Sequence, residues 1–407
     1  MDYDVHVEQE VYQALIHASR SLPLLPSIKK LVWDNTSIGC LKSLFISPTL
    51  TILHLRLTGE DGSYEFSLFS LLTSLSLLCP SVSTLGLSAD PRGMLYQTRK
   101  SEISIYTSAT LSAFRNLMHL QRLELALLGM PENAFCNVIA LNCLRSLRIV
   151  NAPPHGFQHP MPDDRKNSVF PHLEHLDISK CTIEFALWML TNMWETPLKT
   201  LILDFTEPPT ATNWTLFQTI HDQIPHHYLR VVDIGFDSYG TTDEVGLTMK
   251  QLSPLLSFTK LTRVSLCVCI ALDDDAMTRI ALAWPHLESL YLRDHAQALE
   301  SSQSITIKGL ADLARHCQAL EDLCLPSIDA TKMLPDPDNI PCNRKLVALV
   351  VQKSSIDDPS LVAALLFALF PNLQAIYAGE FTDQWTRVME SIRRNRDALD
   401  CPEAREN

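Results

Sequence analysis

The stretch RHCQALEDLCL, residues 315–325, concentrates side chains that could do chemistry. Within nine residues it holds one imidazole, two thiols and two carboxylates: His316, Cys317, Glu321, Asp322 and Cys324. These are the groups that bind zinc and other transition metals, and a thiol in a suitable environment is reactive. The stretch therefore raises two hypotheses, a metal or thiol centre and a purely structural segment.

Two other places carry similar groups. The tripeptide CVC spans residues 267–269, and the pair His226 and His227 follows His221 at short range. A turn between a helix and a strand accounts for the histidines, and a small buried side chain accounts for Cys269. No GxxxxGK[ST], GxGxxG, HExxH or GxSxG motif occurs, and the chain has only 12 glycines for phosphate-cradling loops. We therefore expect no catalytic residues, no cofactor and no metal, and a protein that is not an enzyme.

The composition narrows the class of protein. The chain has 407 residues, is 46% hydrophobic and carries a net charge of −13. An acidic chain lacks the basic surface that nucleic acid requires, so we expect a protein partner and no nucleic acid. The 11 cysteines form no CxxC pair, which favours a reducing compartment. The acidic N-terminus does not resemble a signal peptide, and no apolar run is long enough to span a bilayer. Cytoplasm or nucleus is the expected location.

A repeat explains the chemistry-bearing stretches. The pattern apolar-x-x-apolar-x-apolar occurs thirteen times between Ile28 and Leu373, as in LEHLDI, LESLYL and LEDLCL. The mean spacing is about 29 residues, within the range of leucine-rich repeats. The apolar-x-apolar end of each match predicts a short strand, because side chains alternate between the two faces of a strand.

Segments between the strands show helical spacing of apolar residues. The clearest are residues 183–193, 273–284 and 307–317, and Asp273 to Asp275 stand where the second of these would begin. Carboxylates at the start of a helix accept hydrogen bonds from its free backbone amides. We favour this capping role for the three aspartates over a metal site. One strand and one helix cannot bury their apolar faces alone, so the units must stack with the strands in parallel.

These repeats resemble the leucine-rich-repeat superfamily in its ribonuclease-inhibitor-like form, and more narrowly the cysteine-containing repeats of F-box/LRR proteins. The matching positions are Cys317, Leu320, Leu323 and Leu325, and again Cys79, Val82, Leu85 and Leu87. The resemblance implies an α/β solenoid of about 13 repeats, with a curved parallel sheet on the concave side and helices on the convex side. It also implies a substrate-recognition arm of an SCF-type ubiquitin ligase. An F-box-like segment is not found ahead of the repeats.

Function should then lie on surfaces. The strand residues that alternate with the core leucines should face the concave side, where they run basic, acidic and basic along the chain. The predicted partner-binding residues on this face are His54, Arg56, Arg122, Arg148, His175, Asp177, Asp204, Asp233, Arg263, Tyr291 and Arg293. The alternative is that these polar positions are simply solvated.

Long insertions after the strands form a second candidate surface. The most distinctive, at residues 151–168, is rich in proline and contains the predicted rim-loop contacts His155, Phe157 and His159. Insertions on one face of a repeat array often mark the binding face, although neutral drift of loop length is the alternative.

The ends of the array require caps, since a terminal repeat has no neighbour. We expect an N-terminal capping helix within residues 1–24, the solenoid at 25–380, and a C-terminal capping helix and tail at 381–407. The expected protein is a monomer, with no membrane partner, that holds a ubiquitination substrate and, where an F-box is present upstream, ligase subunits. The alternative is a repeat scaffold or regulatory protein without a ubiquitin-ligase link.

Overall fold

A computed structural model describes most of the chain. The described residues are 9–18, 23–34, 38–57, 64–89, 113–126, 132–152, 169–206, 215–236, 248–267, 272–293, 305–331, 340–352, 354, 356–379 and 382–400. By its internal contacts the chain divides into two compact units, Met1–Pro197 and Leu198–Asn407.

The first unit contains six parallel strands in its described part, which lie side by side in sequence order. They are β1 (Lys30–Asp34), β2 (Ile52–Leu57), β3 (Thr84–Ala89), β4 (Arg122–Ala126), β5 (Ser146–Val150) and β6 (His175–Cys181). Helical segments precede, connect and follow these strands: α1 (Gln9–Ala18), α2 (Ile38–Leu44), α3 (Tyr64–Leu78), the 3-10 turn Ala113–Asn116, α4 (Glu132–Ile139) and α5 (Ile183–Thr191).

The second unit repeats this arrangement with seven parallel strands among its described residues. They are β7 (Thr200–Phe205), β8 (Val231–Phe236), β9 (Arg263–Cys267), β10 (Ser289–Arg293), β12 (Asp322–Leu325), β14 (Ala348–Val351) and β15 (Ala375–Ala378). The helices are α6 (Thr215–Gln223), α7 (Met249–Leu252) with the 3-10 turn Ser253–Ser257, α8 (Asp274–Ala283), α9 (Ile307–His316), α10 (Pro359–Leu369) and α11 (Thr382–Asp400).

The repeat pattern accounts for the strand register. Leu53, Leu85 and Leu123 pair in consecutive strands of the first unit, and Leu290, Leu323 and Leu349 do so in the second. All six side chains are buried. Each leucine thus stacks on the equivalent leucine of the next repeat, and the helices cover this face. All thirteen predicted strands are present, and the predicted leucine-rich-repeat fold class is confirmed.

The helix starts follow the predicted chemistry. The Asp273 carboxylate is the N-cap of α8 and accepts a hydrogen bond from the Ala276 amide at 2.9 Å.

The two terminal helices contact the repeats beside them. The C-terminal helix α11 buries Trp385, Val388 and Ile392. At the other end, the ring of Tyr12 on α1 lies 5.3 Å from that of Trp33 on β1.

The second unit also contains two short strands that the repeat pattern does not predict. They are β11 (Ile305–Thr306) and β13 (Ile328–Asp329), each two residues long. The two strands pair in parallel with each other, apart from the main sheet. Ile305, Thr306 and Ile328 are buried, and buried backbone amides and carbonyls need hydrogen-bond partners. The pairing of these two strands provides such partners.

Candidate functional site

The open face of the sheet, defined as the strand face opposite the buried leucines, carries every predicted strand contact. In the first unit these residues are His54, Arg56, Arg122, Arg148, His175 and Asp177. In the second they are Asp204, Asp233, Arg263, Tyr291 and Arg293. All are half-buried or exposed. The alternation of strand side chains therefore placed them correctly, while their role in partner binding stays a prediction.

In the first unit, a glycine lets one open-face side chain cross a strand. His54 on β2, Gly86 on β3 and Glu124 on β4 are consecutive partners in the strand register. His54 leans across Gly86 so that its Nδ1 lies 4.0 Å from Glu124 Oε2. A Cβ atom on residue 86 would lie only 2.3 Å from that same Nδ1. The absence of a side chain at position 86 is what allows this approach.

Charges elsewhere on the open face of the first unit pair with each other. Arg148 Nε lies 3.1 Å from Asp177 Oδ2, and Arg56 Nη1 lies 3.7 Å from Asp34 Oδ2. Asp177 also accepts a hydrogen bond from the Ser179 hydroxyl at 3.1 Å. The basic and acidic blocks seen in the sequence thus meet as ion pairs. Asp34 was absent from the predicted contacts, although its place in the strand alternation marks it as an open-face residue.

The open face of the second unit holds a groove of about 580 Å³ across β8, β9, β10 and β12. Its lining includes four of the predicted contacts on adjacent strands, Asp233, Arg263, Tyr291 and Arg293. Four more lining residues, Ser265, Ser289, Glu288 and Glu321, are not among the predicted contacts. The strand alternation places Ser265 and Ser289 on the open face. Glu288 and Glu321 lie directly before their strands.

The walls of this groove carry more acidic than basic side chains. Arg263 Nε lies 3.8 Å from Glu288 Oε2, and the Arg293 guanidinium lies over the Tyr291 ring at 5.7 Å from its centroid. Asp233 and Asp322 also line the groove. Carboxylates therefore outnumber guanidinium groups on its walls, which favours a positively charged occupant.

The stretch RHCQALEDLCL proves to be scaffold. Cys317 is fully buried, and burial raises the pKa of its thiol to about 12. Its Sγ donates to the Trp284 carbonyl oxygen at 3.4 Å. The strand alternation puts Cys324 on the concave face, but only 1% of it is exposed, so a partner cannot touch its side chain. Burial also raises the pKa of the Cys324 thiol, while Arg293 opposes that shift. Neither thiol is positioned as a nucleophile.

The histidine cluster at residues 221–227 forms local contacts. His226 Nε2 lies 2.9 Å from the His221 carbonyl oxygen, and the His226 ring packs on Phe258 at 4.7 Å. His221 Nδ1 lies 2.9 Å from Asp222, and this hydrogen bond lowers the pKa of the Asp222 carboxyl. In the described part of the chain, no three His, Cys, Asp or Glu residues are grouped to hold a metal ion. Cys269 lies outside the described residues.

The predicted rim-loop contacts His155, Phe157 and His159 also lie outside the described residues, so their role stays a prediction. Across the residues that the structure describes, no helix is both long and apolar enough to cross a membrane.

Comparison with known proteins gives a mixed result. No protein-family model matches the chain, and no curated protein sequence matches it. Among solved structures, the complex of Rad7 and Elc1 from yeast aligns over 91% of this chain and 84% of the other, with 18% identity and a TM-score of 0.47. An internalin from Listeria monocytogenes aligns over 90% and 93%, with 16% identity and a TM-score of 0.42. TLR13 in its complex with ssRNA13 aligns over 90% and 45%, with 16% identity and a TM-score of 0.39. The fold class stands on the chain's own strands and repeats.

Proposed function

We propose that this chain is a non-enzymatic protein-binding module that holds a protein partner against the open face of its sheet. The observation that carries the proposal is the groove across β8 to β12, where strands in register present polar side chains toward solvent around a volume of about 580 Å³. A concave, partly polar surface on a rigid sheet suits recognition of a protein segment. The rim loops, with His155, Phe157 and His159, are a second proposed contact surface.

The particular role that we propose is substrate recognition for a ubiquitin ligase of the SCF type, in the cytoplasm or nucleus. The support is the repeat sequence, whose Cys317, Leu320, Leu323 and Leu325 follow the F-box/LRR pattern. All four side chains are buried at these positions. A monomer is proposed, with end caps at α1 and α11 around a solenoid at 25–380. Pairing of α1 with Trp33 and burial of Trp385 support the caps.

The alternative is a scaffold without a ligase link, and co-purification separates the two. The tagged full-length chain is recovered from cells, and cullin-ligase subunits are sought by mass spectrometry. Their specific recovery supports the ligase role. Their absence, with other proteins still recovered, leaves the scaffold as the better description.

The binding face is tested separately, with charge reversals on exposed positions. We expect Asp233→Lys, in the groove, to reduce recovery of crosslinked partner proteins, while Glu390→Lys, exposed on the outer helix α11, leaves it unchanged. Both variants should keep the melting temperature of the parent, because neither side chain is fully buried. If the open-face variant and the control recover the same proteins in the same amounts, the open face is not the binding surface.

A further inference from the structure

The groove of the second unit contains carboxylates that nothing else in the described chain neutralises. Asp233 lies on β8, and Glu321 and Asp322 lie where β12 begins. None of these three carboxylates makes an ion pair or a hydrogen bond with another described residue. Glu288, by contrast, is paired with Arg263 at 3.8 Å. Among the described residues, the groove therefore has an unmatched negative charge on each of two opposite walls.

The floor between those walls contains a hydroxyl that makes no hydrogen bond with another described residue. Ser289 lies on the open face of β10 and lines the groove, yet only 9% of it is exposed. Within the described residues its hydroxyl has no hydrogen-bond partner. The Ser289 oxygen is not fully enclosed, so the hydroxyl opens into the groove, where an occupant with polar atoms can hydrogen-bond to it.

The other cations of the groove do not match the carboxylates. Arg293 is held over the Tyr291 ring, 5.7 Å from its centroid, at the opposite end of the strand from Glu288. Arg263 is already paired with Glu288. Cations supplied by a partner would complete the ion pairs, whereas an acidic partner would add repulsion to three carboxylates.

The positions of the carboxylates define a spacing. Asp233 and Asp322 are separated by three strand-to-strand steps, from β8 through β9 and β10 to β12. At about 4.8 Å a step this is about 14 Å across the sheet. Asp322 is level with Val231, two residues before Asp233, so the full separation is about 16 Å, or four to five residues of extended chain. An extended segment lying across the strands therefore places side chains at both walls when they are about four residues apart.

We propose that this groove binds an extended basic segment of a partner protein, with one Lys or Arg at Asp233 and a second, about four residues away, at Glu321 and Asp322. Its backbone passes over Ser265 and Ser289 and supplies the hydrogen bond that Ser289 lacks. This inference rests on the proposed function and adds the chemistry of the partner.

The test uses labelled peptides and the full-length chain, so it does not depend on knowing the partner. The probe is a fluorescein-labelled peptide of roughly ten Ser, Thr and Gly residues with two Lys residues four positions apart. Companion peptides carry two Glu residues at those positions, or two adjacent Lys residues. Binding is measured by fluorescence anisotropy. The variants are Asp233→Lys with Asp322→Lys, Ser289→Ala, and the outer-helix control Glu390→Lys.

We expect the spaced Lys peptide to bind, and the Glu peptide and the adjacent-Lys peptide to bind at least about tenfold more weakly. The double reversal should abolish binding, Ser289→Ala should weaken it about threefold to tenfold, and Glu390→Lys should leave it unchanged. Added salt should weaken binding, as expected for exposed ion pairs.

The proposal is overturned if the spaced Lys peptide does not bind, or if it binds the double reversal as tightly as the parent. Equal binding of the Glu peptide has the same consequence. In that case the crosslinking experiment still decides the proposed function. If Asp233→Lys loses crosslinked partner proteins there, the open face binds a protein, and only the proposal that this partner is a basic segment is wrong. Ser289→Ala keeps the test decisive if the double reversal fails to fold, because it removes only one oxygen atom.

Discussion

Replacing Asp274 tests how neighbouring repeats are joined, because its carboxylate caps the helix of the following repeat. It accepts hydrogen bonds from the Thr306 amide at 2.8 Å, the Thr306 hydroxyl at 2.7 Å and the Gly309 amide at 3.1 Å. Thr306 is the N-cap of α9, and Gly309 lies in its first turn. A Cβ atom on residue 309 would lie 2.8 Å from Asp274 Oδ1, so glycine is what admits the carboxylate.

The magnitude follows from the groups left behind. Asp274→Ala leaves the Thr306 and Gly309 amides without partners, and both residues are buried. An orphaned buried donor costs about 1–3 kcal/mol, and a lost N-cap about 1 kcal/mol. Since such terms overlap, we expect the free energy of unfolding of this region to fall by about 3 kcal/mol. Amide hydrogen exchange in α9, followed by mass spectrometry, should then accelerate by roughly 100-fold.

The neighbouring aspartates provide matched controls. Asp275 has a side chain that is 89% exposed and lies 3.8 Å from Lys308 Nζ, so Asp275→Ala should cost less than about 0.5 kcal/mol. Asp273→Ala removes the N-cap of α8 and should cost about 1 kcal/mol, with faster exchange in α8 rather than α9. Equal exchange in α9 for Asp274→Ala and Asp275→Ala would refute the capping between repeats.

Two further predictions concern the first unit and the buried thiols. Gly86→Ala should lower the free energy of unfolding by about 1–2 kcal/mol in urea titrations, because the new Cβ would lie only 2.3 Å from His54 Nδ1. Adding His54→Ala should restore most of that loss, and no restoration would contradict the steric account. The pKa of Cys317 is raised by burial to about 12, so the folded thiol keeps its proton while the unfolded thiol loses it above pH 9.0. Stability should therefore decline between pH 9.0 and about 12, by up to about 1.4 kcal/mol per pH unit from this thiol. Cys317→Ala should show a shallower decline in urea titrations across that range, and parallel declines would show that another group is responsible.

The sequence determined the fold and the orientation of the strand side chains. Leucines at alternating positions can be buried together only if every repeat adopts the same register, so the sequence alone predicts the thirteen strands. The same alternation placed Asp177, Asp233 and Arg263 on the open face. These properties depend on the spacing of apolar residues along the chain, which can be read directly from the sequence.

Tertiary structure decided which of those side chains have partners. Asp177 and Asp233 are equivalent in the sequence pattern, yet Asp177 pairs with Arg148 while the Asp233 carboxylate has no ion pair among the described residues. Asp273, Asp274 and Asp275 looked alike as helix-start carboxylates, but one caps its own helix, one caps the next helix and one is exposed. Cys324 alternates toward the open face and is nevertheless buried.

The physical reason is the range over which each property is set. Burial by periodicity depends on residues two to four positions apart, which a single sequence displays. The ion pair of Arg148 with Asp177 and the capping of α9 by Asp274 depend on side chains about 30 residues apart, held at hydrogen-bonding distance. Only the packed repeats bring such groups together, and they decide where charge remains for a partner.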